Sequence, residues 1–127
     1  DLHSFPTRRS SDLHIERLRQ AIADAELSLS VGGDWCILGS GGSKVAAAYR
    51  LIELEELAPD HVVAIGNEAN DEALLREFPT AFVIRNAGGH HPSLAAIAGA
   101  ARCHAEGPLG WLEMIDALDR ASQGADQ

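Results

Sequence analysis

Val62-Val63-Ala64-Ile65-Gly66-Asn67-Glu68-Ala69-Asn70-Asp71 joins a continuous apolar run to an abrupt cluster of oxygen-bearing side chains. Val62 to Ile65 has the length and β-branched content of a strand buried on both faces, as in a parallel sheet covered by helices. Gly66 ends the strand. Asn70 and Asp71 are suited to cap a helix running through Leu74, Leu75 and Phe78, so the polar cluster falls between a strand's carboxyl end and a helix's amino end. Ligands bind at that position in open α/β sheets.

Downstream, Ala81 to Ile84 reads as a second buried strand with Arg85-Asn86-Ala87-Gly88-Gly89 as its exit loop. Pro92 to Ala98 reads as a short helix with proline in its first turn, and Ala101 to His104 as a short edge strand. Pro108 to Ala121 reads as a closing amphipathic helix with Trp111, Leu112, Ile115 and Leu118 toward the sheet. From Ser122 the chain is polar and expected to fray. Upstream, Val45, Ala48, Leu51, Ile52 and Leu57 recur at helical spacing after the loop Gly39-Ser40-Gly41-Gly42-Ser43-Lys44, with Glu53, Glu55 and Glu56 as the solvated face. Alternating strands and helices predict parallel βα units. Before them, Glu26 to Val31 and Trp35 to Leu38, separated by Gly32-Gly33-Asp34, suggest a hairpin that buries Trp35. His14 to Ala25 reads as an amphipathic helix with Ile15, Leu18, Ile22 and Ala25 on one face. Helix plus hairpin is α+β in character, which draws a subdomain boundary near Gly39.

The 127 residues carry a net charge of -9, a poor match for nucleic acid or an anionic membrane surface. No apolar run approaches membrane-spanning length. Cys36 and Cys103 lie in apolar segments without metal-ligand spacing, so a reduced, cytoplasmic compartment is expected. Residues 1–13, DLHSFPTRRSSDL, resemble the in-frame translation of a short-read sequencing adapter over their whole length; the alternative is a natural polar tail. On the adapter reading they are excluded from fold reasoning, and the chain is the C-terminal piece of a longer protein. Excluding them removes Arg8 and Arg9 together with Asp1 and Asp12, so the charge is unchanged.

Lys44 is the only lysine in a chain whose other basic side chains are arginines. It reads either as a solvated helix-start residue or as a compact ammonium kept for chemistry that a planar guanidinium does not serve. The loop before it lacks the GxxxxGK(S/T) spacing of a nucleotide-phosphate cradle, because Val45 follows the lysine. His90, His91 and His104 with Cys103 fit no trusted zinc spacing and read as surface histidines.

A lysine opening a helix, then a buried strand ending in Gly66-Asn67-Glu68-Ala69-Asn70-Asp71, then a strand closing on Asn86-Ala87, resembles the C-terminal half of a haloacid dehalogenase-superfamily phosphatase. The likeness covers roughly residues 26 to 120 and is nearest to members with a large α+β cap, the C2-cap group of sucrose-phosphatase-like and mannosyl-3-phosphoglycerate phosphatase-like enzymes. In that group a lysine follows the cap and a GDxxND loop follows the next core strand. The resemblance implies an α/β fold, a partial Rossmann-like parallel sheet with helices on both faces, plus the last helix and hairpin of a cap. It divides the chain into the adapter segment 1–13, a cap remnant 14–39, the second half of a core 40–121 and a tail 122–127.

The resemblance also implies a Mg²⁺-dependent phosphate monoester hydrolase acting on a sugar phosphate or phosphorylated glycoside. Phosphoryl transfer is mostly charge neutralisation and positioning. Lys44 would hold the nucleophile and phosphate together, Ser43, Asn70 and Asn86 would meet the substrate, and Asn67, Asp71 and Glu68 would serve Mg²⁺, a hard cation that takes oxygen ligands. Two departures stand out. Asn67 occupies the place of the first aspartate of GDxxND, and at about 4 Å with an effective dielectric near 20 the missing charge is worth roughly 4 kcal/mol. On this reading Asn67→Asp leaves turnover intact or improves it. No DxDx(T/V) nucleophile motif occurs in the sequence, so the chain alone is expected to be inactive. In the family the nucleophile strand lies beside Val62 to Ile65, and an unpaired edge there invites self-association. The alternative is a non-catalytic α/β ligand-binding or interaction module with a lost metal site.

Overall fold

A computed structural model of the chain describes residues 10–23, 25, 27–32, 35–39 and 42–125. Most of the adapter-like segment, the Gly33-Asp34 turn, Ser40-Gly41 of the loop and the last two residues of the tail lie outside the described residues. In chain order the elements are α1 (Ser10–Ile22), β1 (Ser28–Gly32), β2 (Trp35–Gly39), α2 (Lys44–Leu54), β3 (Val63–Gly66), α3 (Glu72–Glu77), β4 (Thr80–Arg85), α4 (Pro92–Ala95), β5 (Ala101–Glu106) and α5 (Gly107–Ala125). Short 3-10 turns at Pro59–His61 and Ala69–Asp71 lead into β3 and α3 respectively.

β1 and β2 form an antiparallel hairpin, while β3, β4 and β5 form a parallel sheet in that order. β4 is central, and its alternation builds two cores. Ala81 and Val83 pack with Ala64, Ile52, Leu75, Phe78, Leu94 and Ile97 under α2, α3 and α4. Phe82 and Ile84 pack with Cys103 and Met114 under α5. A continuous apolar strand is required where helices cover both faces. Glu113 fastens α5 back onto β5, accepting hydrogen bonds from the His104 and Ala105 amides at 2.8 and 3.1 Å and meeting His104 Nδ1 at 2.8 Å. That staple places His104 in a structural contact. His90 likewise meets the Cys103 carbonyl at 2.8 Å.

Several expectations change. α1 begins at Ser10, inside the segment read as adapter-derived, and α5 extends past Ser122 to Ala125. Asn70 and Asp71 do not cap α3 by side-chain hydrogen bonds; instead Glu68 and Asp71 close a reciprocal capping box around the 3-10 turn. Trp35 is 77 % exposed rather than buried in the hairpin, and Trp111, Leu112 and Ile115 are about half exposed. The face of α5 that meets the sheet is Gly110, Met114, Ala117 and Leu118. β3 pairs only with β4 among the described residues, so its other edge carries no strand, and only Ala64 of its residues is fully buried.

Gly110 sets how closely α5 approaches the sheet. A Cβ there would lie 2.7 Å from the Ala105 carbonyl oxygen and 2.9 Å from Ile84 Cγ2. Backbone cannot yield to such a contact without moving the helix. Gly110→Ala is therefore expected to cost about 1–3 kcal/mol, read as a lowered denaturant midpoint.

Candidate functional site

The site lies at the carboxyl ends of β3 and β4, where the strands stop and their exit loops face each other. Gly66 ends β3 because the chain must pass directly under Asp71; a Cβ at Gly66 would collide with the Asp71 side chain, its Oδ2 lying 2.8 Å away. Beyond β4, Asn86 and Gly89 exchange backbone hydrogen bonds of 3.0 and 2.9 Å in a tight turn, which Gly89 permits at φ +112°. Left-handed backbone of this kind favours glycine.

Lys44 enters from the first turn of α2. Ser43 caps that helix, its Oγ accepting from the Ala46 amide at 3.0 Å. A cation at a helix amino end opposes the helix dipole by about 0.3–1 kcal/mol, so helix stability does not explain the position. Asp71 does: Lys44 Nζ donates to Asp71 Oδ1 in an ion pair across 27 residues. Tyr49 keeps α2 in place for it, donating to Glu77 at 2.6 Å and lying 5.7 Å from the Phe78 ring.

Asp71 is the sole buried charged residue among the described residues. Its Oδ2 accepts the amides of Asn67 and Glu68 at 3.0 and 3.1 Å. Burial pushes the carboxyl upward, but the hydrogen bond from Lys44, the two amides and the lysine charge together outweigh it and hold Asp71 below the ordinary value of 3.8. These are the interactions that favour a carboxylate over its acid.

Asn67 and Asn86 face one another. Asn67 Nδ2 donates to Asn86 Oδ1 at 2.8 Å, while Asn86 Nδ2 donates to the Asn67 carbonyl at 2.9 Å and to Glu68 Oε1 at 3.1 Å. The turn and the two exit loops line a cleft of about 820 Å³ with Lys44, Asn70 and Asp71. The hairpin strand β1 lies against the Ala69–Asp71 turn.

The structure thus brings Lys44, Asn67, Glu68, Asn70, Asp71 and Asn86 to one cleft. Ser43 is not part of its lining; its hydroxyl oxygen serves as the helix cap. The three residues expected to serve Mg²⁺ have other partners: Asp71 holds Lys44 and two amides, Glu68 closes the capping box and takes Asn86, and Asn67 turns its amide nitrogen to Asn86. No group of three His, Cys, Asp or Glu converges as a metal site among the described residues. These residues by themselves do not fit a divalent cation.

Sequence reasoning missed the far wall of the cleft, where Arg85, Glu106, Pro108 and Trp111 meet. Arg85 and Glu106 pair at 3.5 Å across the ends of β4 and β5. The rule that ligands gather at carboxyl ends of parallel strands would have pointed to them. Lys44 and Arg85 face Glu68, Asp71 and Glu106 in the lining, an excess of one negative charge.

Residues 5–98 match the family model of the haloacid dehalogenase-like hydrolases. A crystal structure of a candidate phosphatase from Eubacterium rectale, at 1.80 Å resolution, superposes with a TM-score of 0.51 at 23 % identity. The match covers 73 % of this chain and 34 % of that one, so the chain spans about a third of its length. A search of curated proteins returned no match.

Lys44→Met removes the hydrogen bond and the charge that, with the two amides, offset the burial of Asp71. The expected loss at neutral pH is about 1–2 kcal/mol, less than the roughly 3–5 of a fully buried pair, because the lysine side chain is 49 % exposed. A lowered folded-state pKa stabilises above the unfolded value, and that contribution fades as pH falls through the folded one. The gap between wild type and variant, measured by denaturant midpoints, should therefore narrow below pH 3.8.

Proposed function

The chain belongs to the haloacid dehalogenase-like hydrolase family, and from that premise we propose that it is the lysine-bearing part of a Mg²⁺-dependent phosphatase acting on a sugar phosphate or phosphorylated glycoside. The observation that carries this reading is the ion pair of the lone lysine with Asp71, formed across 27 residues at the mouth of a cleft at the strand ends.

In this reading Asp71 orients Lys44, and Lys44, half exposed, keeps donors free for a phosphate oxygen. Lys44 is the catalytic group on this chain. A preset ammonium stabilises charge on a transferring phosphoryl group without reorganising during the reaction. Asn70 meets the ligand from the same wall. Asn86 supports the site by holding Asn67 and Glu68 rather than by binding substrate.

The excess negative charge of the lining favours a cationic partner for a phosphate dianion, and Mg²⁺ supplies charge neutralisation of that kind when bound. Its carboxylate ligands, and the aspartate that attacks phosphorus, would come from a DxDx(T/V) segment that is absent from this sequence. The free edge of β3 is the place for the strand carrying that segment, and until it is filled the edge is open to self-association. We assign the chain to the group with an α+β cap, α1 from His14 onward and the hairpin being the cap's last elements and residues 1–13 an adapter-derived lead. A cytoplasmic location accords with free Cys36 and Cys103, and no helix of the described residues is long and apolar enough to cross a membrane.

Phosphate release from a panel of phosphorylated sugars tests the reading. The chain alone should release none; joined to its native upstream coding sequence it should turn over with Mg²⁺, and Lys44→Ala should lower kcat by about a hundredfold or more. Native upstream sequence without DxDx(T/V), or unchanged turnover in the lysine variant, would instead favour the non-catalytic binding module.

A further inference from the structure

The orientation of the Asn86 carboxamide is set by chemistry. The atom nearest the Asn67 carbonyl and Glu68 Oε1, at 2.9 and 3.1 Å, faces two groups that can only accept. It must therefore be the nitrogen. The other end of Asn86 is then an oxygen, and it meets the side chain of residue 67 at 2.8 Å. Only a donor satisfies that contact. A carboxylate at position 67 would place two acceptors within hydrogen-bond distance, and turning Asn86 over would break both of its other bonds and oppose its oxygen to the Asn67 carbonyl.

We propose that Asn86 and Glu68 lock position 67 to a carboxamide, so that the Asn67 N–H fills the gap between the ends of β3 and β4 where two facing oxygens would require a cation. Asn67 is a latch between the two exit loops rather than a weakened metal ligand. Asn86 and Glu68 are its positioning residues. The lock also limits the cleft's negative excess to one charge, since an aspartate at position 67 would add a second beside Lys44. In the metal-free chain Asn67→Asp is unfavourable, because the substitution strains the loop that presents Asp71. This concerns the site assigned above, but its test requires no turnover, so it stands or falls apart from the phosphatase reading.

The 127-residue chain, kept in EDTA, is melted as wild type, Asn67→Asp, Asn86→Ala and the double variant. Asn67→Asp should lower Tm by several degrees, about 3–8 °C, and by less than half of that in the Asn86→Ala background, where the opposing oxygen is gone. Millimolar Mn²⁺ should recover most of the loss in Asn67→Asp, with a bound-Mn²⁺ signal in electron paramagnetic resonance, and leave the wild type unmoved. Equal losses in both backgrounds, an aspartate variant as stable as wild type in EDTA, or a wild type that gains as much from Mn²⁺ as the variant would overturn the proposal. If Asn67→Asp does not fold, folding of both Asn67→Ala and the double variant supports the lock, and failure of either overturns it.

Discussion

One ion pair organises this chain. Lys44 opens α2 where the helix dipole disfavours a cation, and Asp71 is buried where the loss of water disfavours an anion; each position is tolerable because of the other. The carboxylate that answers the lysine also receives the amides of Asn67 and Glu68, so it shapes the turn after β3. Gly66 follows from the same packing, since no side chain fits between the end of β3 and Asp71. Helix, strand end and turn thereby share one acceptor.

Around this pair the two cores divide the labour. The core beneath α2, α3 and α4 fixes the elements that carry Lys44 and Asp71, with Tyr49 and Phe78 setting the spacing between helices. The core beneath α5 fixes β4 and β5, and hence the loop that carries Asn86. The amide pair of Asn67 and Asn86 joins the two exit loops directly. A ligand in the cleft meets groups already held by the protein, and preorganisation of that kind is what makes charge stabilisation effective.

The open side of β3 and the half-exposed Trp111 and Ile115 belong to one description. A periodic apolar face on α5 suggests burial, yet the sheet beneath that helix has three strands among the described residues and leaves Trp111, Leu112 and Ile115 about half exposed. Hydrophobic pattern reports what a helix can cover, while exposure reports what lies beneath it.

Only the family resemblance joined the lone lysine to the polar turn as one site; the amino-acid sequence by itself determined the parallel βα order, the strand ending at Gly66 and the turn that follows it. These depend on periodicity and on residues adjacent in the chain, which local backbone hydrogen bonding and apolar spacing encode. Tertiary structure alone decided that Ser43 is a cap, that Trp35 and Trp111 face outward, and that Asn67 is answered by Asn86 nineteen positions away. The register that pairs Gly66 with Val83 brings the two exit loops together. An amide's orientation is then fixed by which acceptors surround it, and those neighbours exist only once the strands have met.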